Sequence, residues 1–329
     1  MKNITVFAVL VIILFCAQPA LSQGWNDSFA FSVAPVFGFF YGQAEEIVYP
    51  PSGYIAPYLS QLLYNMKTVF YYGLLMDFSK IEAADKWNLF ASLSLKLGIP
   101  GESGFHENFD WQSVQNDALT NYSWHYNTTK ELFLLDFTAG VSFPLRYGLH
   151  ISALAGVSYK RFSFYGMGGG TEYARELPPQ GSGIYAPITD NPETSSIPPD
   201  KKVINYSQDW MVFSPGVLLK YYFLKAFSAE ISFMISPFII CADLDEHLVR
   251  KIQFRDYTRG GLYLEPGARI AYAAGKWVEL SLEYSWQYIT GTRGGTYSKS
   301  YGRGYYLQGG EAGTGLWLMD TGLYVKIRL

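Results

Sequence analysis

Asp243, Asp245 and His247 stand at i, i+2 and i+4 in the run Ala242-Asp243-Leu244-Asp245-Glu246-His247. On an extended backbone alternate side chains share a face, so all three project the same way. A carboxylate beside an imidazole is the smallest set that activates water: the carboxylate orients the ring and the imidazole takes the proton. Two other runs carry acids, Glu45-Glu46 and Glu107-Asn108-Phe109-Asp110-Trp111, and in the second Asn108 and Asp110 are again two apart. Clustered carboxylates repel and displace one another's pKa values, which is costly unless a cation or a function uses them. Taken alone, Asp-x-Asp-x-His also fits a solvated acidic turn. Calcium held by Asp243, Asp245 and Glu46 is the lesser reading, because the backbone-carbonyl loop of such sites is missing. No Cys/His/carboxylate spacing points to zinc or another metal.

The elements that must position these residues follow from the rest of the chain. Met1-Lys2-Asn3 is a short basic start, Ile4 to Cys16 is almost wholly apolar, and Ala20-Leu21-Ser22 offers small residues for cleavage. Residues 1–22 therefore read as a signal peptide and 23–329 as one exported domain. Its removal leaves Cys241 as the lone thiol, so no internal disulfide is available, and a buried or pore-side thiol is its default reading. Aromatic residues make up 18% of the chain, with 27 Tyr, and charged residues 16%. The first is well above ordinary soluble usage and the second well below it. No later apolar run is long enough for a membrane helix. A formal net charge of −3 suggests neither nucleic acid nor a polybasic membrane patch.

Alternation takes the place of helices. Val278, Leu280, Leu282, Tyr284, Trp286 and Tyr288 oppose Glu279, Ser281, Glu283, Ser285 and Gln287. The same period runs through 149–160 and 91–97, which is the lipid-out, polar-in pattern of a membrane strand with aromatic girdles. Ten strands are expected, near 28–41, 59–79, 86–98, 130–143, 147–166, 208–222, 226–240, 255–274, 276–290 and 316–329. Short turns near 80–85, 144–146, 223–225 and 275 alternate with long segments at 42–58, 99–129, 167–207, 241–254 and 291–315. The expected fold is all-β, a ten-stranded antiparallel transmembrane β-barrel with five long extracellular loops and short periplasmic turns. The Gly-rich run 166–170 lacks the Lys and helix of a phosphate loop and reads as punctuation. His106 and His125 fall in the second long segment and read as loop surface.

The chain resembles the omptin family of outer-membrane proteases. The resemblance rests on Asp243-Leu244-Asp245-Glu246-His247, with Gly42-Gln43-Ala44-Glu45-Glu46-Ile47-Val48-Tyr49, Ser60-Gln61-Leu62, Asp110-Trp111 and Arg161-Phe162-Ser163-Phe164 in the same order along the chain. It implies an aspartyl-type endopeptidase of the cell outer membrane, active at the cell exterior. It implies His247 as general base, Asp245 as its orienter, Asp110 as a holder of the water, and Glu46 with Asp243 as a pocket for the basic residue before the scissile bond. The second water-holding aspartate of the family falls at Asn108, which cannot accept a proton and which removes a like charge beside Asp110. That loss is expected to ease Asp110's ionisation.

Arg161 matches an outward base that binds lipopolysaccharide phosphate in the family, while its partner position reads Asp209; a girdle-level cation snorkelling to head groups is the equal alternative for Arg161. The chain ends on Leu329 rather than an aromatic residue. The implied partners are polypeptides with basic residues and outer-membrane lipid, with no nucleic acid, for a chain acting as a monomer. No cofactor is implied, with lipopolysaccharide as the one candidate activator. Two other functions fit the sequence: a catalytically weak relative acting as adhesin or surface binder, and a narrow diffusion channel, disfavoured because ten strands leave a lumen mostly filled by side chains.

Overall fold

Strict two-residue alternation cannot leave a sheet edge in hydrocarbon, because unpaired backbone N–H and C=O groups there cost several kcal/mol each. The computed structural model describes residues 29–80 and 87–328, and in it the sheet closes on itself. The signal-peptide reading, most of the 80–85 turn and Leu329 lie outside the described residues. Fourteen strand segments combine into ten barrel strands. Four are β1 (Phe29–Tyr49), β2 (Ser60–Lys80), β5 (Asn121–Pro144) and β6 (Leu149–Tyr173). Two more are β7 (Glu193–Leu224) and β14 (Tyr306–Arg328). Each remaining barrel strand is a broken pair: β3 (Asn88–Gly98) with β4 (Gly101–Asp110), and β8 (Phe227–Ser236) with β9 (Phe238–His247). The other two pairs are β10 (Ile252–Arg259) with β11 (Leu262–Ala273), and β12 (Val278–Thr290) with β13 (Arg293–Ser300). All neighbours are antiparallel, and β1 closes the ring on β14 from Ser32↔Arg328 to Tyr49↔Glu311.

The expected strand at 255–274 is interrupted at Gly260-Gly261, both at positive φ. A Cβ on Gly261 would lie 2.2 Å from the Thr290 carbonyl oxygen, so the break needs glycine. The larger difference concerns length. Much of each segment expected as a long loop is paired strand, and the upper connections shrink to 50–59, 111–120, 174–192, 248–251 and 301–305. Above the apolar band both faces of these strands carry polar groups, so the alternation that marks strands in lipid fades while the hydrogen-bond ladder continues.

Outward positions such as Phe37, Phe137, Phe213, Ile231, Phe238, Ile240, Leu282 and Leu323 are exposed and form the apolar band. Inside it, charged side chains pair across the lumen. Tyr71 Oη donates to Asp320 Oδ1 at 2.7 Å, and the Lys96 ammonium bonds the other oxygen of Asp320. Arg269 bridges to Glu279 at 2.9 Å and Lys220 to Glu230 at 2.7 Å. A bulge on β2 then changes which residues face inward. The register slips between Phe40↔Val69 and Gly42↔Met66, and Thr68 takes φ 54°. Below it Val69 and Tyr71 are buried; above it Met66, Tyr64 and Leu62 are. The bulge therefore turns Tyr64 and Ser60 toward the mouth of the lumen.

Breaking a buried ion pair leaves an uncompensated charge. Asp320→Ala should cost about 3–5 kcal/mol by urea unfolding of the refolded barrel, and Lys96→Met in the same chain should recover much of it. Equal stability of the double and single variants would contradict a net cost from the stranded lysine.

Candidate functional site

The upper mouth is built from strand ends whose registers are locked. On β9 the inward positions are Cys241, Asp243, Asp245 and His247, and outward Ala242, Leu244 and Glu246 separate them. The short turn at 248–251 folds β10 back so that Asp243 faces Asp256, Asp245 faces Phe254 and His247 faces Ile252. Cys241 is fully buried below Asp243 and has no access to the cleft.

His247 Nε2 donates to Asp245 Oδ2 at 2.7 Å. The ring meets Phe254 edge-on at 5.6 Å, which fixes its plane from the other side. With Nε2 engaged, Nδ1 is the nitrogen left to take a proton. Asp245 is 2% exposed and its Oδ1 has no partner.

The facing wall is the end of β4. There Asn108 and Asp110 lie across from Leu62 and Ser60 of β2. Ser60 Oγ donates to Asn108 Oδ1 at 2.9 Å, which leaves the amide nitrogen of Asn108 as the group available to the cleft. Asn121 Nδ2 donates to Asp110 Oδ2 at 3.4 Å. Burial pushes Asp110's carboxyl above the usual range, opposed by Ser60, Asn121, Arg250 and His247. Desolvation thus outweighs the relief expected from the missing like charge at Asn108. The action of His247 on Asp110 also places the two walls within electrostatic reach of each other.

Below the two walls sits a cluster of buried carboxylates: Glu46 of β1, Asp243 of β9 and Asp256 of β10, at 3%, 3% and 1% exposure. Tyr206 Oη donates to Asp243 Oδ2 at 3.2 Å, and the Asp256 backbone N–H to Asp243 Oδ1 at 3.2 Å. Burial first, then the charges of Asp243, Asp245 and Asp256, raise Glu46 well above its ordinary value. Burial with Asp256 and Asp245 does the same to Asp243. Among the described residues no Lys or Arg forms an ion pair with any of the three. The described residues also contain no group of three His, Cys, Asp or Glu suited to a metal ion.

The floor was not legible as such. Tyr64 and Tyr206, from strands far apart on the ring, stack at 3.9 Å and 3°. His106 stacks on Tyr64 at 4.3 Å and 6°, and His125 on His106 at 5.4 Å. Gln208 Nε2 crosses the lumen to donate to the Glu45 carbonyl at 2.8 Å and also donates to Tyr206 Oη at 2.7 Å. His106 and His125, expected at the loop surface, are instead 1% and 4% exposed on β4 and β5. Their even-numbered and odd-numbered alternation with Asn108 and Asn127 was the signal available for this. Asp256 was missed because 241–254 reads as loop; folded as a tight hairpin, the same residues put Asp256 opposite Asp243.

Glu45 points outward and accepts from Gln61 Nε2 at 2.5 Å. Arg161 is also outward, but its NH1 donates to both oxygens of Asp209 at 2.9 Å and its Nε to Glu131 at 3.1 Å. Tyr159 Oη joins the same Asp209 at 2.6 Å. The guanidinium expected to meet lipid phosphate is thus held by carboxylates of its own chain.

Fold and site together define a transmembrane β-barrel with a two-walled polar cleft at one mouth, set above a buried acidic pocket. The omptin family model matches residues 27–322, and the chain belongs to the omptin family. It is similar to a plasminogen activator of Yersinia pestis, 23% identical over 335 residues that cover 95% of each chain. The barrel also superposes on the crystal structure of the outer membrane protease OmpT from Escherichia coli, with a TM-score of 0.77 at 17% identity. That match covers 93% of this chain and 99% of the other.

Burial drives His106 well below, and His125 below, the ordinary imidazole value. A group lowered in this way is neutral in both states above the unfolded histidine value of about 6.5. As pH falls through that value the unfolded chain gains protons first, so stability drops on the acid side. Urea midpoints near neutrality and about one unit below pH 6.5 should differ more in the wild type than in His106→Phe. An equal acid loss in both would show that the stacked histidine does not set it.

Proposed function

We propose that the chain is an endopeptidase of the outer membrane that opens polypeptides after a basic residue, and between two basic residues by preference. The observation that carries the reading is the 2.7 Å Asp245–His247 pair, facing Asp110 across a cleft whose base is a buried acidic pocket. The membership in the omptin family supports it, as do the likenesses to the Yersinia pestis plasminogen activator and to the Escherichia coli outer membrane protease.

In this reading the basic side chain of the substrate enters toward Glu46 and Asp243, which hold it by charge-assisted hydrogen bonds. The scissile carbonyl then lies between the walls. A water held by Asp110 and Asn108 attacks the carbonyl carbon as His247 Nδ1 takes its proton. Asp245 keeps the imidazolium aligned and balances its charge. The C–N bond breaks as His247 passes that proton to the leaving amine, and the new carboxyl keeps the water oxygen. Asn108 cannot serve as a base, but its free amide N–H can donate to the oxygen that gains charge in the tetrahedral intermediate. The walls face the cell exterior, so substrates come from outside the cell. The reaction uses no cofactor or metal, and the barrel acts as a monomer. The pairing of Arg161 with Asp209 and Glu131 argues that lipopolysaccharide is not needed to complete the site. The side chains crossing the lumen, Lys96, Asp320, Arg269 and Glu279 among them, argue against a diffusion path.

The test is a fluorogenic peptide with one Arg-Arg junction, given to the refolded barrel, with the products weighed to locate the cut. Cleavage after the first Arg is expected, with kcat lowered by about 10²–10⁴ in both His247→Ala and Asp245→Ala. The wild-type rate should be the same with and without lipopolysaccharide. Cleavage at apolar junctions, or full activity in His247→Ala, would overturn the assignment. A rate that appears only with lipopolysaccharide would overturn the role given to the Arg161–Asp209 pair.

A further inference from the structure

Asp256 is the least explained charged group near the site. It is 1% exposed, and neither carboxylate oxygen has a hydrogen-bond partner. The backbone settles where it points. Asp256 is the cross-strand neighbour of Asp243 on β9 and of Thr296 on β13, so it shares the inward face that carries Asp243. The Thr296 hydroxyl is unpartnered too, as is Glu46 Oε2. Three buried acceptor oxygens, two on Asp256 and one on Glu46, therefore stand open around one pocket. A buried carboxylate with no partner is costly, and a group that supplies several N–H donors at once would satisfy it.

We propose that Asp256 is the third carboxylate of the substrate pocket and the residue that makes it select a guanidinium over an ammonium. The inference rests on the endopeptidase reading for the identity of the ligand. A guanidinium presents five N–H donors in a rigid plane and can serve carboxylates on two sides at once. An ammonium has three donors on a single point and cannot span Asp256 and Glu46 in the same way. Asp256 does not touch the scissile bond; it sets which side chain is held.

Three acids and one cation leave excess negative charge, and protonation resolves it. The titratable groups acting on Asp256 are Asp243, Asp245 and Cys241 from β9 and Glu46 from β1, and its cross-strand neighbour on β13 is the neutral Thr296. Burial, opposed by a Thr296 hydroxyl near enough to act on the carboxylate but outside hydrogen-bond geometry, and reinforced by Asp245, raises Asp256 to about 7. Near neutrality the empty pocket thus keeps a proton that an arriving guanidinium displaces.

The experiment compares wild type, Asp256→Asn and Asp256→Glu as full refolded barrels. Peptides differing only in Arg or Lys before the scissile bond are cleaved across the pH range. Binding of acetyl-arginine amide and acetyl-lysine amide is followed calorimetrically in buffers of different ionisation enthalpy. For Asp256→Asn, KM for the Arg peptide should rise by about tenfold or more with kcat little changed, and the Arg-over-Lys ratio should collapse. Wild type should release about one proton more than Asp256→Asn on binding acetyl-arginine amide below neutrality. Asp256→Glu should restore part of the Arg preference. The wild-type proton release needs no variant, so a poorly folding substitution leaves the inference exposed to test. Unchanged KM, selectivity and proton release in Asp256→Asn would overturn it, as would wild-type binding without proton release. Should wild type bind the arginine amide with proton release yet cleave nothing, the pocket stands and the endopeptidase reading falls.

Discussion

A strand that crosses hydrocarbon must find a partner within the protein for every backbone N–H and C=O. The pairing of β1 with β14 meets that condition here. Once the ring is closed, register is no longer free. A slip of one residue in any strand would turn its apolar face into the lumen and its charges into lipid. The inward identities of Lys96, Asp320, Arg269 and Glu279 follow from that constraint, and so does the filled lumen. The same ladders run on above the apolar band, where no lipid demands them, and there they serve as a rigid frame for the cleft.

That frame explains how carboxylates come to be buried without counter-charges. Asp243 and Asp256 are brought together by cross-strand pairing, and Glu46 faces them from a strand on another side of the ring. Tyr64 and Tyr206, stacked across the lumen, close the floor beneath them. Desolvation then raises the acids' affinity for protons and for any cation that can replace them. In the proposed reaction, this feature, which would otherwise merely destabilise the mouth, is what selects a basic side chain. Preorganisation of this kind is more exact on strands than on mobile loops.

Within the lipid band the sequence was almost fully legible, because alternation there is enforced: 278–288 and 149–160 face as their patterns require. The catalytic-type residues were legible as types and spacings, since Asp243, Asp245 and His247 need only an extended backbone to share a face. What escaped was whatever depends on pairing beyond the band. Asp256 looks like one charge in a polar stretch until the 248–251 turn pairs it with Asp243. His106 and His125 look like surface residues until β4 and β5 are seen to continue upward and turn them into the stack. At Arg161 the sequence already showed Asp209 at the partner position; what it did not show is that the guanidinium binds that carboxylate and Glu131 of the other neighbouring strand. The β2 bulge at Thr68 is of the same kind: a single residue that reverses the inward face, with no Gly or Pro to announce it.

At Asn108 the wall opposite His247 offers an amide in place of a carboxylate. In the proposed reaction Asp110 alone supplies the negative charge needed on that wall, with the Ser60-anchored Asn108 as a donor. The most direct measurement is hydrolysis of one Arg-Arg peptide by wild type and Asn108→Asp, with His247→Ala as the blank. Wild type should cleave well above the blank, and Asn108→Asp should alter the pH profile rather than create the activity. A wild type indistinguishable from the blank beside an active Asn108→Asp would contradict it, and would mean that the natural barrel carries the frame of a protease without its chemistry.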